Sequence, residues 1–123
     1  MIGLGIDAID IGRFRAVLAR RPALAARLFT DDERAYAHRR ADPAPSLAAR
    51  FAAKEAAMKA LGTGRSRGVL WRDIEVVRRG GPPQLQFHGG AQRRFTAVGG
   101  RSSLLTITHS RDLALAQVLI LTE

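Results

Sequence analysis

The segment that most constrains the fold is SLAARFAAKEAAMKALG, which runs from Ser46 to Gly62. It is rich in alanine, the residue with the highest intrinsic helix propensity. Glycine is common immediately after the last helical turn, because it adopts left-handed backbone angles without strain. The segment therefore predicts one long helix that begins at Ser46 and is capped at its C-terminus by Gly62.

The N-terminal residues 1–9, MIGLGIDAI, alternate with the period of two that is typical of a β-strand. One predicted face carries Ile2, Leu4 and Ile6, and the other carries Gly3, Gly5 and Asp7. The two glycines have no side chain, so another group can approach that face closely. We expect Asp7 near the end of the strand, beside this open face.

The other elements follow from local signals that mark helix ends and strand turns. Apolar residues recur at helical spacing between Asp10 and Arg21, and Pro22 ends that helix. The remaining predictions are a capping box at 30–33, a loop at 39–45, a hairpin with strands at 73–78 and 84–87, a short helix at 91–98, and two strands at 103–109 and 113–121. The predicted class is α+β, with a largely antiparallel sheet packed against the long central helix.

Composition limits the class of protein. With 123 residues, 46% of them hydrophobic, the chain suits a single domain spanning 1–123. Its 20 Lys and Arg against 11 Asp and Glu give a net charge of +9, which favours an acidic partner: a nucleic acid, a phosphorylated small molecule or an acidic protein. The chain has no cysteine and no apolar run near the length of about 20 residues that spans a membrane. We therefore expect a cytoplasmic protein without disulfides or a membrane partner.

A helical wheel of the long helix separates an apolar stripe from two charged edges. The stripe contains Leu47, Phe51, Met58 and Leu61. Glu55 and Lys59 lie along one edge, and Arg50 flanks the other. Lys54 falls inside the stripe, and because an unpaired buried charge is strongly disfavoured, it must reach solvent, form an ion pair or face a cleft. Of these three options, a cleft is the one that would indicate a functional site.

Local patterns alone leave the roles of the charged residues open. Glu55 and Lys59 have the favourable i,i+4 order of a helix-stabilising pair, which contributes about 0.2–0.5 kcal/mol on an exposed surface. Asp7 taken alone is better explained as a strand-end carboxylate than as a metal ligand. A functional assignment therefore depends on a larger pattern.

Three separated blocks form that pattern: GIDAIDIGRF near the N-terminus, RFAAKEAAMKALGTG in the middle and LTITHSRDLALAQV near the C-terminus. The first block contains Gly5, Ile6 and Asp7 in succession. The middle block contains an aromatic residue, Lys-Glu-Ala, a second Lys-Ala and a Gly, here Phe51, Lys54, Glu55, Ala56, Lys59, Ala60 and Gly62. In order and spacing, over essentially its whole length, the chain resembles the holo-acyl-carrier-protein synthase family of bacterial 4′-phosphopantetheinyl transferases.

The resemblance implies an enzyme of fatty acid biosynthesis with a magnesium site. Asp7 and Glu55 would hold Mg²⁺ together with the diphosphate of coenzyme A, and Lys59 would reach the same diphosphate as a third catalytic residue. A serine hydroxyl of an acyl carrier protein would attack the β-phosphorus, and 3′,5′-ADP would leave. Three candidates for the base that removes the serine proton remain open: a water on the metal, Glu55 and Asp7.

The resemblance also implies further contacts with coenzyme A, at Arg50, Lys59, Gly62, Gly81, Pro83, His109 and Ser110. Strand periodicity alone would make His109 a structural residue, because it shares a face with Leu105 and Ile107. The basic loop 62–68 lacks the Gly-Lys-Ser/Thr ending of a P-loop. Its Arg65 and Arg67 would suit a 3′-phosphate or simply be solvated.

Protein partners are implied in the same way. Family members dock the acidic acyl carrier protein on the first helix, where Arg13 matches a docking arginine. Arg20 and Arg21 add positive charge there, although a generic solvated helix face explains them equally well. Family members are also homotrimers with active sites between subunits. The last strand agrees with assembly, because both of its faces are apolar and a small domain has difficulty covering both.

Two alternatives belong to other functional classes. The high positive charge is also typical of an RNA-binding module without catalytic activity. Aromatic residues make up only 6% of the chain, however, and no strand interleaves aromatic and basic residues as a base-stacking platform does, so we expect no nucleic acid partner. The third possibility keeps the metal site but hydrolyses coenzyme A or a similar diphosphate.

Overall fold

The computed structural model describes residues 2–64 and 68–123. Its helices and strands, in chain order, are β1 (Gly3–Asp10), α1 (Ile11–Arg20), α2 (Leu24–Leu28), α3 (Asp31–Ala37), α4 (Ala44–Leu61), β2 (Ile74–Val77), β3 (Gln84–Phe87), α5 (Gly89–Ala97), β4 (Ser102–His109) and β5 (Leu113–Leu121). A short 3₁₀ turn at Trp71–Asp73 precedes β2. The predicted α+β class with antiparallel strands is confirmed.

The strands form two antiparallel sheets. β5 lies between β1 and β4 in a three-stranded sheet, and β2 pairs with β3 as the predicted hairpin. α4 packs against the face of the larger sheet that carries the buried side chains of Ala114, Ala116, Val118 and Ile120. The other face of β5 is only partly covered in one chain, and Leu113 on it is exposed, as expected if a small domain cannot bury both apolar faces by itself.

The long predicted helix is α4. It begins at Ala44, two residues before the predicted start, because proline is tolerated in the first helical turn and Pro45 need not lie in a loop. It ends as predicted at Gly62, whose φ of 73° is left-handed. The helix is buried on most of its circumference. Many of its side chains are alanine, whose small size lets neighbouring elements pack closely around it.

α4 and β1 approach each other most closely at the two glycines of the strand. A Cβ atom on Gly5 would lie 1.8 Å from the carbonyl oxygen of Ala56, and one on Gly3 would lie 2.1 Å from that of Ala60. The predicted alternation is correct, and the group that approaches the glycine face is α4. The apolar face with Ile2, Leu4 and Ile6 is consequently the exposed one.

Lys54 does not face a cleft, because it is completely buried and forms an ion pair. Its ammonium group donates to Oε1 of Glu33 at 2.8 Å and to the carbonyl oxygens of Trp71 and Ile74. All three ammonium donors are thereby satisfied, which makes the burial tolerable. Glu33 also completes the predicted capping box with Thr30 and accepts from the amide of Val76. Burial lowers the pKa of Lys54, and the Glu33 carboxylate opposes that shift.

Candidate active site

Asp7 and Lys59 are brought together by the packing of β1 on α4. Asp7 lies opposite Ala116 in the strand register, two residues beyond Gly5, and therefore on the sheet face that α4 covers. Nζ of Lys59 donates to Oδ1 of Asp7 at 2.9 Å and to the carbonyl oxygen of Ile6 at 2.9 Å. The Asp7 side chain is 17% exposed and that of Lys59 is 54% exposed, so the pair lies at the rim of the packed interface.

Glu55 lies on the same side of α4 as Lys59. The two residues are four positions apart on one helix, so their side chains are neighbours on its surface. Because Lys59 reaches Asp7, Glu55 is placed one helical turn along the same edge, and it is half-buried there. The three residues implied as catalytic by the resemblance therefore cluster at one edge of the α4–β1 interface.

The donor set at this edge suits magnesium better than a transition metal. Two carboxylates with open coordination, to be completed by phosphate oxygens and water, are typical of protein-bound Mg²⁺. Within residues 2–64 and 68–123, no group of three or more His, Cys, Asp or Glu side chains is positioned to hold a metal by itself. The carboxylates of Asp7 and Glu55 are oxygen donors of the kind that Mg²⁺ prefers.

Arg50, Pro83 and His109 meet on the other side of α4. They line a cavity of about 310 Å³ together with Tyr36, Ser46, Arg78 and Arg40. No carboxylate lies among the described residues that line it, and several are basic, so the cavity favours an anion. Nη1 of Arg50 donates to Oγ of Ser46 at 2.7 Å, and burial lowers the pKa of Arg50 while the Glu33 carboxylate opposes the shift.

The two clusters lie on opposite sides of α4 and at opposite edges of the larger sheet. Arg50 is about 140° from Glu55 and about 180° from Lys59 around the α4 axis. Asp7 is on β1 and His109 is on β4, and β5 separates these two outer strands. Within one chain, the carboxylate cluster and the basic cavity therefore do not form a single pocket.

The remaining positions implied for coenzyme A are at chain turns. Gly62 caps α4, beside Arg94, which donates from Nε to the carbonyl oxygen of Leu61 at 2.9 Å. The carbonyl oxygen of Gly81 accepts from Nε of Arg78 at 3.2 Å in the β2–β3 turn. The backbone amide of Ser110 donates to the carbonyl oxygen of Leu113 in the β4–β5 turn. Arg65 and Arg67 lie outside the described residues.

The proposed docking arginines border a separate groove of about 640 Å³. Arg13 and Arg21 line it, whereas Arg20 is exposed outside its lining. The groove contains a stack of aromatic rings, with Phe51 5.2 Å from Phe14 and 5.0 Å from Trp71 between ring centroids.

Two lining residues of this groove were not identified from the sequence. Arg27 lies in α2 within an alanine-rich stretch that carries no distinguishing pattern. Trp71 is the one tryptophan of the chain, and this rarity was the signal that could have drawn attention to it. Both join the groove through packing between distant segments, which periodicity does not show.

Known proteins resemble this chain along its length. The profile of the 4′-phosphopantetheinyl transferase superfamily matches residues 3–117. A holo-acyl-carrier-protein synthase of Syntrophotalea carbinolica is 48% identical over 118 residues, which cover 94% of this chain and 92% of the relative. A holo-acyl-carrier-protein synthase of Methylobacterium nodulans is 46% identical over 127 residues, which cover 100% of this chain and 96% of the relative.

Solved structures agree with these relatives. The holo-acyl-carrier-protein synthase of Neisseria meningitidis superposes with a TM-score of 0.88 at 30% identity, covering 98% of each chain. That of Bacillus anthracis, solved in complex with CoA (3′,5′-ADP), has a TM-score of 0.80 at 34% identity, covering 97% of this chain and 95% of that chain.

The family profile, the relatives and the shared fold together define the class of this protein as a phosphopantetheinyl transferase. The chain belongs to the 4′-phosphopantetheinyl transferase superfamily and, within it, to the holo-acyl-carrier-protein synthases. The family and the fold expected from the sequence are confirmed. The comparisons give no support to the alternative of an RNA-binding module. Among the described residues, no helix is both long and apolar enough to cross a membrane.

Proposed function

We propose that this protein transfers 4′-phosphopantetheine from coenzyme A to a serine of an apo acyl carrier protein, in a magnesium-dependent reaction that releases 3′,5′-ADP. The observation that carries the proposal is the contact between Lys59 and Asp7 on the edge of α4 that also carries Glu55. The Bacillus anthracis relative, solved with CoA (3′,5′-ADP), agrees with this substrate and product.

In the proposed reaction, the serine oxygen forms a bond to the β-phosphorus while the bond from that phosphorus to the bridging oxygen breaks. The electron pair leaves with 3′,5′-ADP, and the serine proton passes to a base on the carboxylate edge of α4. Mg²⁺ held by Asp7 and Glu55 would neutralise charge on the diphosphate. Lys59 supplies a fixed positive charge, which stabilises the leaving group most when the bond is breaking.

We further propose that each active site is shared between copies of the chain in a homotrimer. Arg50, Pro83 and His109 lie across α4 from Asp7, so a second copy is needed to bring the basic cavity to the carboxylate cluster. A surface for such a copy exists on the larger sheet, where Leu4, Leu119 and Leu104 form one row in register. Leu4 is 52% exposed and Leu104 is 58% exposed, which is unusual for residues in the centre of an apolar face.

We also propose a cytoplasmic location, since the proposed substrates are coenzyme A and an acyl carrier protein. One assay tests the activity directly: the protein is incubated with coenzyme A, Mg²⁺ and an apo acyl carrier protein. The proposed transferase adds the mass of phosphopantetheine to the carrier and releases 3′,5′-ADP. Release of 3′,5′-ADP without a mass gain would instead identify a hydrolase. The absence of both products would refute the proposal.

The shared site predicts rescue between two inactive variants. A trimer carrying Asp7→Asn in every subunit should be inactive, and one carrying His109→Ala should be impaired. When the two chains are unfolded and refolded together, some interfaces should pair an intact carboxylate cluster with an intact His109. Transfer activity should then exceed that of either parent.

Native mass spectrometry shows whether mixed oligomers have formed. If they form and their activity stays at or below the average of the parents, the shared site is wrong and His109 is a structural residue.

The docking face predicts a selective effect of charge reversal at Arg13. Arg13→Glu should raise the KM for the acyl carrier protein roughly tenfold at low salt and leave the KM for coenzyme A unchanged, because an acidic partner is repelled. Arg93→Glu, the same change on the exposed face of α5, is the matched control and should alter neither constant. An equal rise of both constants for Arg13→Glu would contradict a docking role.

A further inference from the structure

Arg50 is held in an unusual environment for a charged side chain. It is 6% exposed, and its guanidinium carbon lies 4.2 Å from the centroid of the Tyr36 ring. Nη1 of Arg50 donates to Oγ of Ser46. Among the described residues, Nε of Arg50 is the buried side-chain nitrogen that has no hydrogen-bond partner. A buried donor left unsatisfied costs free energy, so such an arrangement persists when another interaction or a ligand compensates.

The Tyr36 ring is the interaction that compensates within the chain. A guanidinium over an aromatic face is attracted by the ring quadrupole, and the attraction is larger where water is excluded. The ring contact holds the guanidinium carbon over the face of Tyr36, and the Ser46 bond holds Nη1. Arg50 is thereby set in one orientation, instead of sampling the many rotamers of an exposed arginine.

The fixed guanidinium lines a cavity suited to a phosphate. Arg78 and His109 line the same cavity, and no carboxylate is among its described lining residues. Nη1 is engaged by Ser46, and the planar fork carries further N–H donors with which an anion can be bound.

We propose that Tyr36 is a positioning residue for coenzyme A, whose ring holds the Arg50 guanidinium in the orientation that binds a phosphate group of that substrate. The proposal rests on the proposed function, since it requires Arg50 to contact coenzyme A. Tyr36 lies on α3 beyond the capping box, and neither the sequence pattern nor the family resemblance assigns it a role.

The test compares Tyr36→Leu, which removes the ring, with Tyr36→Phe, which keeps the ring and removes only the hydroxyl. Tyr36→Leu should raise the KM for coenzyme A about tenfold, because the cation–ring attraction is lost in a buried site. The kcat and the KM for the acyl carrier protein should stay within about twofold of the parent, since an exposed docking face elsewhere binds the carrier. Tyr36→Phe should have a KM for coenzyme A close to that of the parent protein, because the ring is kept.

A double-mutant cycle with Arg50→Leu shows whether Tyr36 acts through Arg50. In the Arg50→Leu background, Tyr36→Leu should have almost no further effect on the KM for coenzyme A, because the guanidinium it positions is gone. Additive effects, or a Tyr36→Leu variant whose kcat and both KM values change together with its melting temperature, would overturn the proposal. If Arg50→Leu does not fold, the comparison of Leu with Phe at Tyr36 still decides it.

Failure of the proposed function is recognised separately. A parent protein that neither modifies the carrier nor binds coenzyme A by calorimetry refutes the transferase itself. A parent protein that does both, together with a Tyr36→Leu variant of unchanged KM for coenzyme A, refutes only the role of Tyr36.

Discussion

Asp7→Asn and Glu55→Gln are each expected to lower kcat/KM for phosphopantetheine transfer by at least about a hundredfold, the size of effect seen when one preorganised charge-stabilising group is removed. Both variants keep the shape of the side chain and remove its negative charge. Each should also lose the part of coenzyme A binding that depends on Mg²⁺, because a neutral amide is a poorer ligand for that ion than a carboxylate. Transfer is measured by mass gain of the carrier, and binding by calorimetry with and without Mg²⁺.

Folding should be nearly unaffected by these two substitutions. The Asp7–Lys59 pair is partly exposed on the lysine side, and its loss should cost at most about 1 kcal/mol of unfolding free energy. Asp31→Asn is the matched control, since it removes a charge from a side chain that is 88% exposed on α3. If both site variants transferred phosphopantetheine at near the parent rate, the carboxylate site would be refuted.

Gly5→Ala is expected to destabilise the fold by about 3 kcal/mol or more, at the upper end of the effects of overpacking a core. The added Cβ would lie 1.8 Å from the carbonyl oxygen of Ala56, and neither backbone can move without separating β1 from α4. Thermal unfolding followed by circular dichroism should show a fall in Tm of at least about 10 °C.

Gly12→Ala provides the control for that substitution. Gly12 is an exposed position in α1, where the nearest atom to an added Cβ is Oδ1 of Asp10 at 3.4 Å. Alanine there should stabilise the protein by up to about 1 kcal/mol, because glycine loses more conformational freedom in a helix. An unchanged Tm for Gly5→Ala would mean that β1 and α4 are less closely packed than the structure describes.

Local signals in the sequence predicted most elements correctly. The capping box at Thr30, the left-handed cap at Gly62 and the β2–β3 hairpin each depend on interactions within a few residues, and such interactions are legible from side-chain type and spacing. The start of α4 was placed two residues late, because proline is compatible both with a loop and with a first helical turn. The functional roles of Asp7, Glu55 and Lys59 stay predictions that rest on the family resemblance.

The sequence by itself determined the family, the α+β class and the edge of α4 on which Glu55 and Lys59 lie, since motif order and helical period are properties of the chain. Only the tertiary structure decided that Lys54 is paired with Glu33, that the ring of Tyr36 supports Arg50, and that Arg50 and His109 lie across α4 from Asp7. These contacts join segments far apart in the chain, and periodicity gives the face of a residue without naming its partner. Burial then selects the partner, because a charge removed from water must be satisfied by whichever donor, acceptor or ring the packing brings to it.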